Sequence, residues 1–255
     1  MKIIKHIIVA FSLYSRIPMP HFEWKDDDTE HVLVFLPWIG AIIGLLLYTA
    51  HFLLNEHFTL ISELCIYSLI PLMVTGGFHM DGYMDVQDAL SSYKPPEEKL
   101  KILSDPHIGS FAIIRLVMFA LIWCGSLPCI INQKDPIYLY SYFCIFVLAR
   151  IQTAILCLKL KRAKKTGLLH MEAQKSSKVD ILLCALQGIV VLAIMVKISI
   201  WIGIISFSVC VCHGLYIRHM CYKQFGGATG DVAGYSIVTL EECLIVAIAI
   251  MTFVI

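Results

Sequence analysis

The chain has 255 residues, a formal net charge of +1 and 58% hydrophobic residues, with a mean hydropathy of +0.78. Soluble domains sit near about 45–50% apolar, so a soluble globular protein is excluded and a polytopic membrane protein is expected. No nucleic-acid partner is expected.

The start, MKIIKHIIVAFSLYSRIPMP, has basic residues and a short apolar run, as a signal peptide would. It lacks a small-residue cleavage site, and Arg16, Pro18 and Pro20 break the chain just after the apolar run. Ile3, Ile7, Ile8 and Phe11 recur at helical spacing between lysines, which predicts a retained helix lying in the membrane interface. Stretches long enough to cross a bilayer of about 30 Å occur at 32–54, 60–78, 110–132, 136–158, 180–196, 198–217 and 237–255. The fold class is therefore all-α, a helical bundle of about seven spans (six to eight). The fifth and sixth spans share a boundary near Lys197, which reads as a tight hairpin or as one pair misdivided. Residues 1–255 form one domain, with no internal repeat or linker.

Charge orients the bundle. Residues 159–178 hold seven of the twenty Lys and Arg, which assigns this loop to the cytoplasm. Counting through seven spans puts 1–31, 79–109 and 218–236 on the same side. That set carries sixteen basic residues, and the loops opposite carry two. Arg115 and Arg150 fall inside spans, where an ionisable group needs a partner or a role. Arg115 is close enough to the end to snorkel; Arg150 is deeper, suited to a carboxylate partner or an anionic substrate. Most of the ten cysteines lie within spans; even Cys210 and Cys212, a C-x-C without a second pair, read as small apolar fillers.

Every chemically unusual loop lands on the cytoplasmic face. In GGFHMDGYMDVQDAL, residues 76–90, Asp81, Asp85 and Asp88 stand at i, i+4 and i+7, one helical face stacked over roughly 10 Å. Three like charges on one stripe call for a positive partner, a metal ion or a cluster of Arg and Lys. His79 lies roughly 160° around such a helix from Asp81 and joins the stripe only if the helix starts after it. Asp105, His107 and Gly109 precede the third span, and Thr229, Gly230 and Asp231 precede the last. Glycine-rich backbone can approach a phosphate, and carboxylates beside it suit the Mg²⁺ that accompanies a pyrophosphate. Singly, Asp105 and Asp231 fit helix caps equally well, and Gly76, Gly77, Gly226 and Gly227 fit plain turns.

The motifs resemble the cobalamin synthase family, the adenosylcobinamide-GDP ribazoletransferases. That family's G-G-L-H-x-D-G-x-x-D-x-x-D-G is matched by GGFHMDGYMDVQDA, with Ala89 replacing the last glycine; D-S-R-I-G-T-F-G is matched by DPHIGSFA at 105–112, T-G-D-V-x-G by TGDVAG at 229–234, and R-I-P-x-P by RIPMP at 16–20. Pro106 and His107 replace the family's Ser-Arg, and Val238 replaces a glutamate, although Glu241 meets a second one. The resemblance implies a membrane transferase of late cobalamin biosynthesis. It would join adenosylcobinamide-GDP to α-ribazole or its 5′-phosphate and release GMP, with Mg²⁺ required. The implied metal ligands are Asp81, Asp85, Asp88 and Asp231. Asp88 or Asp231 would serve as base, and Arg150, Arg115 and His107 as anion contacts. Gly76, Gly77, His79, Asp105, Gly109, Thr229, Gly230 and Glu241 would bind substrate. The expected setting is the cell's inner membrane with the active face cytoplasmic, the lipid bilayer as partner and a homo-oligomer compatible with the sequence. Two rivals are a CDP-alcohol phosphotransferase, whose Ala-Arg after D-G is not met by Tyr83 and Met84, and a cation transporter, whose carboxylates belong near the midplane.

Overall fold

Within hydrocarbon every backbone N–H and C=O must be satisfied inside its own segment, so apolar runs of this length fold as helices. In a computed structural model of the chain, residues 2–54, 58–163 and 177–254 are described. Among them are ten α-helices: α1 (Lys2–Tyr14), α2 (Leu36–Leu54), α3 (Leu60–Thr75), α4 (Phe78–Ser91), α5 (Pro96–Ile102), α6 (Ser110–Ile131), α7 (Ile137–Lys159), α8 (Lys178–Ile198), α9 (Ile200–Met220) and α10 (Gly230–Met251). Six segments, Val32–Leu53 and those built on α6, α7, α8, α9 and α10, are long and apolar enough to cross a membrane. The pair α3–α4, bent by 91°, makes a seventh if taken as one span. The protein is thus a polytopic helical membrane protein. Most of the basic loop read as cytoplasmic, including Lys164, Lys165 and Lys175, lies outside the described residues, as do the loop residues 55–57 and Ile255.

Helix α7 is the central post, with α2, α8 and α10 laid against it. Its Tyr142, Phe146 and Arg150 are among the largest fully buried side chains. Helix α2 lies close to it because GAIIG places Gly40 and Gly44 one turn apart. A Cβ on Gly44 would meet the Phe143 carbonyl oxygen at 2.7 Å, and one on Gly40 would collide with the Phe146 carbonyl, the small-residue contact expected where no hydrophobic effect drives helices together. Helix α1 docks beside the start of α2 through buried Val9, Ala10, Phe11 and Tyr14.

Two boundaries differ from the hydropathy reading, and a third settles a choice it left open. The predicted span 60–78 stops at Thr75, because Gly76 (φ 64°) and Gly77 (φ 78°) are both left-handed. The Gly77 N–H closes the helix end on the Leu72 carbonyl at 3.1 Å, and the chain turns nearly at right angles into α4. The fifth and sixth spans are two helices meeting at extended Ser199, the tight hairpin. The last helix starts at Gly230, seven residues before the predicted 237. Its polar first turns lower the hydropathy of residues that are nonetheless helical.

Candidate active site

The acidic stripe forms because α4 begins at Phe78 and runs without a break to Ser91, so Asp81, Asp85 and Asp88 share one face. Asp81 is exposed; Asp85 and Asp88 are half-buried. Helix α10 crosses α4 at two glycines. A Cβ on Gly82 would stand 2.8 Å from the Asp231 carbonyl oxygen and 3.0 Å from its Cα, and one on Gly234 would stand 2.9 Å from the His79 carbonyl oxygen. Tyr83 stacks on Tyr235 at 5.8 Å with the rings 11° apart, holding the same crossing. This contact brings Asp231, in the first turn of α10, to the stripe. Partial burial together with Asp81, Asp231 and Asp88 pushes the Asp85 carboxyl up to about 6. Asp85 is therefore the middle of a four-carboxylate cluster drawn from two distant parts of the chain.

Loop residues close around it. Gly109 caps α6, and any Cβ there would collide with the carboxylate of Asp88, so Asp88 rests against bare backbone at a helix N-terminus, which favours negative charge. Asp105 and His107 pair with each other through a ring contact of 2.7 Å in an exposed loop. The His107 N–H and ring hold the Asp105 carboxyl below the usual carboxylate range. Thr229 caps α10 by accepting from the Val232 N–H at 3.2 Å. Gly230 is exposed beside it, and Arg115 is exposed about one turn into α6. Ala228 is bonded to residues 161 and 163, and Lys99 donates to Gln224 at 2.5 Å, so the loops before α6, after α7 and before α10 meet at one end of the bundle. The chemically unusual loops are thus together, as their charge predicted, and the carboxylates lie at a bundle end rather than midway along spans.

Two cavities lie beside the bend between α3 and α4. One of about 720 Å³ is lined by Asp81, Gly76, Gly77 and Arg16, among others. Arg16 lies over the α3–α4 bend, its side chain filling the space a Gly76 Cβ would take and its N–H bonded to the Val74 carbonyl at 2.8 Å. It was visible in sequence only as a member of RIPMP, because nothing local shows that residue 16 meets residue 76. The other cavity lies deeper, between α3, α4, α6, α7 and α10, and Leu72, Thr75 and Met80 line both. Arg150 is here, 1% exposed and paired with Glu241 at 2.6 Å; it also donates to the Phe146 carbonyl. His79 is buried in the first turn of α4, on the side facing this cavity and away from the stripe. Of the predicted residues, Asp81, Asp85, Asp88, Asp231 and Gly109 therefore gather at the acidic cluster, Gly76 and Gly77 line the outer cavity together with Asp81, and His79, Arg150 and Glu241 line the inner one.

The buried pair carries its own prediction. Glu241→Ala leaves Arg150 charged without a partner in the interior, a loss of about 3–5 kcal/mol that should show as a clear drop in melting temperature in detergent. Exchanging both partners for apolar residues, Arg150→Met with Glu241→Leu, should recover most of that loss.

A scan against family models matches residues 6–249 to Cobalamin-5-phosphate synthase. The chain belongs to the cobalamin-5-phosphate synthase family. Among its relatives, the Lachnoclostridium phytofermentans protein named adenosylcobinamide-GDP ribazoletransferase is 32% identical over 245 residues, covering 94% of this chain and 92% of that protein. Proteins of the same name from Clostridium botulinum and Clostridium perfringens are each 30% identical, covering 93% of this chain and 94% of their own length. No solved structure matches. Membership in the cobalamin-5-phosphate synthase family decides against the CDP-alcohol phosphotransferase and transporter readings.

Proposed function

We propose that this chain is an adenosylcobinamide-GDP ribazoletransferase, joining adenosylcobinamide-GDP to α-ribazole or its 5′-phosphate with release of GMP. The observation that carries the chemistry is the meeting of Asp81, Asp85, Asp88 and Asp231, of which Asp81 also lines a cavity with Arg16. Clustered carboxylates facing a diphosphate need countercharge, and their oxygens are hard ligands of the kind Mg²⁺ prefers. Among the described residues no three His, Cys, Asp or Glu side chains converge on one point. Mg²⁺ does not require such a cage, since it commonly takes one or two carboxylates and completes its shell with substrate phosphates and water. The donor set therefore fits, with Asp85 and Asp81, Asp88 or Asp231 as ligands.

The chain's own groups then divide the work. Arg16, with Arg115 and His107 as further anion contacts, anchors the diphosphate. A ribose hydroxyl of the acceptor attacks the phosphorus on the cobinamide side; the new P–O bond forms as the bond to GMP breaks. Asp88 or Asp231 takes the hydroxyl proton, and GMP leaves with the electron pair. Bound Mg²⁺ would supply charge stabilisation for the bridging and leaving oxygens. Positioning and electrostatics suffice for such a transfer. The test is GMP release by detergent-purified protein: it should require adenosylcobinamide-GDP, the ribazole acceptor and Mg²⁺ together. Release that ignores the acceptor sinks the proposal.

Metal binding should also be linked to pH. With its carboxyl raised to about 6, metal-free native Asp85 keeps a proton that an unfolded Asp releases near pH 4. Its contribution to stability is therefore present below pH 4 and lost as pH rises through about 6. Mg²⁺ relieves this repulsion only once the proton has left. The rise in melting temperature on adding Mg²⁺ should be larger at pH 7.5 than at pH 5, and equal shifts would remove Asp85 from the metal site.

The site would face the cytoplasm in the cell's inner membrane, as the bias of basic residues toward that side supports. Tyr93, 93% exposed just after α4, gives a readout. A Tyr93→Cys thiol should resist an impermeant reagent added to intact cells and react once they are opened.

A further inference from the structure

Helices α4 and α10 have to hold like charges together. The close contacts at Gly82 and Gly234 limit how near the two backbones come, but a steric contact does not stop them drifting apart, and repulsion among Asp81, Asp85, Asp88 and Asp231 drives that drift. Counting around α4, Asp85 lies roughly 60° to one side of Gly82 and Tyr83 roughly 100° to the other, and Asp231 and Tyr235 flank Gly234 in the same way. The carboxylates thus occupy one side of the crossing and the stacked rings of Tyr83 and Tyr235 the other. The stack is anchored at both ends. The Tyr83 hydroxyl donates to the Arg115 carbonyl of α6 at 3.3 Å, and the Tyr235 hydroxyl meets that of Tyr216, on α9, at 3.1 Å. A second contact from α9 fixes the same residue. His213, 6% exposed and one turn before Tyr216, uses both ring nitrogens. Gln152 of α7 donates to its Nδ1 at 2.7 Å, and its Nε2 meets the Thr239 hydroxyl at 2.9 Å, which donates in turn to the Tyr235 carbonyl at 2.7 Å. An ionisable group within a span marks a role, and with both nitrogens engaged His213 is built to hold helices together.

We infer that Tyr216 is a positioning residue of the acidic cluster: its hydroxyl holds Tyr235, and through the first turns of α10 it holds Asp231 against Asp85. The assignment rests on the proposed reading of that cluster as the Mg²⁺ site of the transferase. Tyr235 stands four residues after Asp231, one turn along the same face of α10, so a shift of one carries the other. Tyr216 belongs to none of the motifs that mark the site, and α9 carries no Asp or Glu of its own. Its influence on the chemistry therefore passes through α10. The carboxylates supply the site's charge, and the aromatic stack with its α9 anchor supplies the attraction that keeps the charges within reach of one ion, as a preorganised site requires.

The test is the Mg²⁺ requirement of Tyr216→Phe, measured on full-length protein in detergent. The substitution keeps the ring and removes one hydroxyl. The Mg²⁺ concentration for half-maximal GMP release should rise about two- to tenfold, the worth of one hydrogen bond, with the KM for α-ribazole unchanged. A purely structural role would lower the amount of active protein and leave the Mg²⁺ requirement alone. A second readout needs no turnover: the rise in melting temperature that Mg²⁺ produces should be smaller than in the wild type. Tyr235→Phe should match Tyr216→Phe, and the double variant should be no worse than either, because each removes the same bond. Ser208→Ala takes from α9 a hydroxyl that bonds within its own helix, to the Ile204 carbonyl, and should leave both readouts at wild-type values. An unchanged Mg²⁺ requirement in Tyr216→Phe, effects that multiply in the double variant, or an equal change in Ser208→Ala overturns the assignment. The two readings fail separately. A melting shift that obeys these variants in protein that releases no GMP removes the reaction and keeps the positioning role; Mg²⁺-dependent GMP release with both readouts unchanged in Tyr216→Phe removes the positioning role and keeps the reaction.

Discussion

Asp85→Asn should lower GMP release at saturating Mg²⁺ by at least about a hundredfold, because charge stabilisation by a bound metal is worth several kcal/mol and each 1.4 kcal/mol is about tenfold in rate. The same substitution should leave the metal-free protein as stable as the wild type or more so. Asp85 sits among three like charges, and its carboxyl is raised by burial and by Asp81, Asp231 and Asp88; a neutral amide of nearly the same shape removes that repulsion. Loss of turnover with no loss of melting temperature separates a chemical role from a folding one. Turnover within a few-fold of wild type would discard Asp85 as a ligand. The stability gain should shrink when Mg²⁺ is present, since the wild type is then neutralised by the ion.

Gly82→Val should be nearly as damaging by a different route. The helices α4 and α10 touch through backbone here, with the Asp231 carbonyl oxygen 2.8 Å from where a Cβ would stand, so a branched side chain pushes the start of α10 away from the stripe. Overpacking of this kind costs about 1–3 kcal/mol, which a bundle of this size can survive. Separating Asp231 from Asp85 should nevertheless remove most of the activity, read as GMP release by protein that still elutes as a single folded species. Gly125→Ala is the control, because on α6 a Cβ at that position meets nothing within 4 Å and alanine is the better helix former. If Gly82→Val retains wild-type turnover, Asp231 does not belong to the working site.

Local chemistry made a good deal of this protein legible from its residues. Apolar runs of about twenty residues read as spans, so the helical class and the approximate number of spans follow from composition and length. The sidedness of the loops comes from where Lys and Arg fall, and the faces of those loops do meet at one end of the bundle. A 3.6-residue period placed Asp81, Asp85 and Asp88 on one face before any fold was known, and α4 keeps that face intact. Where the hydropathy reading slipped, the cause was also local. Polar residues 230–236 resemble a loop by composition but are capped by Thr229 and continue into α10, while Gly76 and Gly77 end α3 in a left-handed turn that a hydropathy window does not register.

What only the tertiary structure decided is who meets whom across long stretches of chain. Asp231 reaches Asp85 because Gly82 and Gly234 let two helix backbones approach; Arg16 sits over the bend at Gly76; and His79, Trp123 and Arg150, from three different helices, line one inner cavity. Periodicity reports which face of a helix a residue occupies, but not which other helix that face will touch. That choice is made by backbone-to-backbone contact at small residues and by the filling of volume between spans, which no stretch of sequence contains by itself.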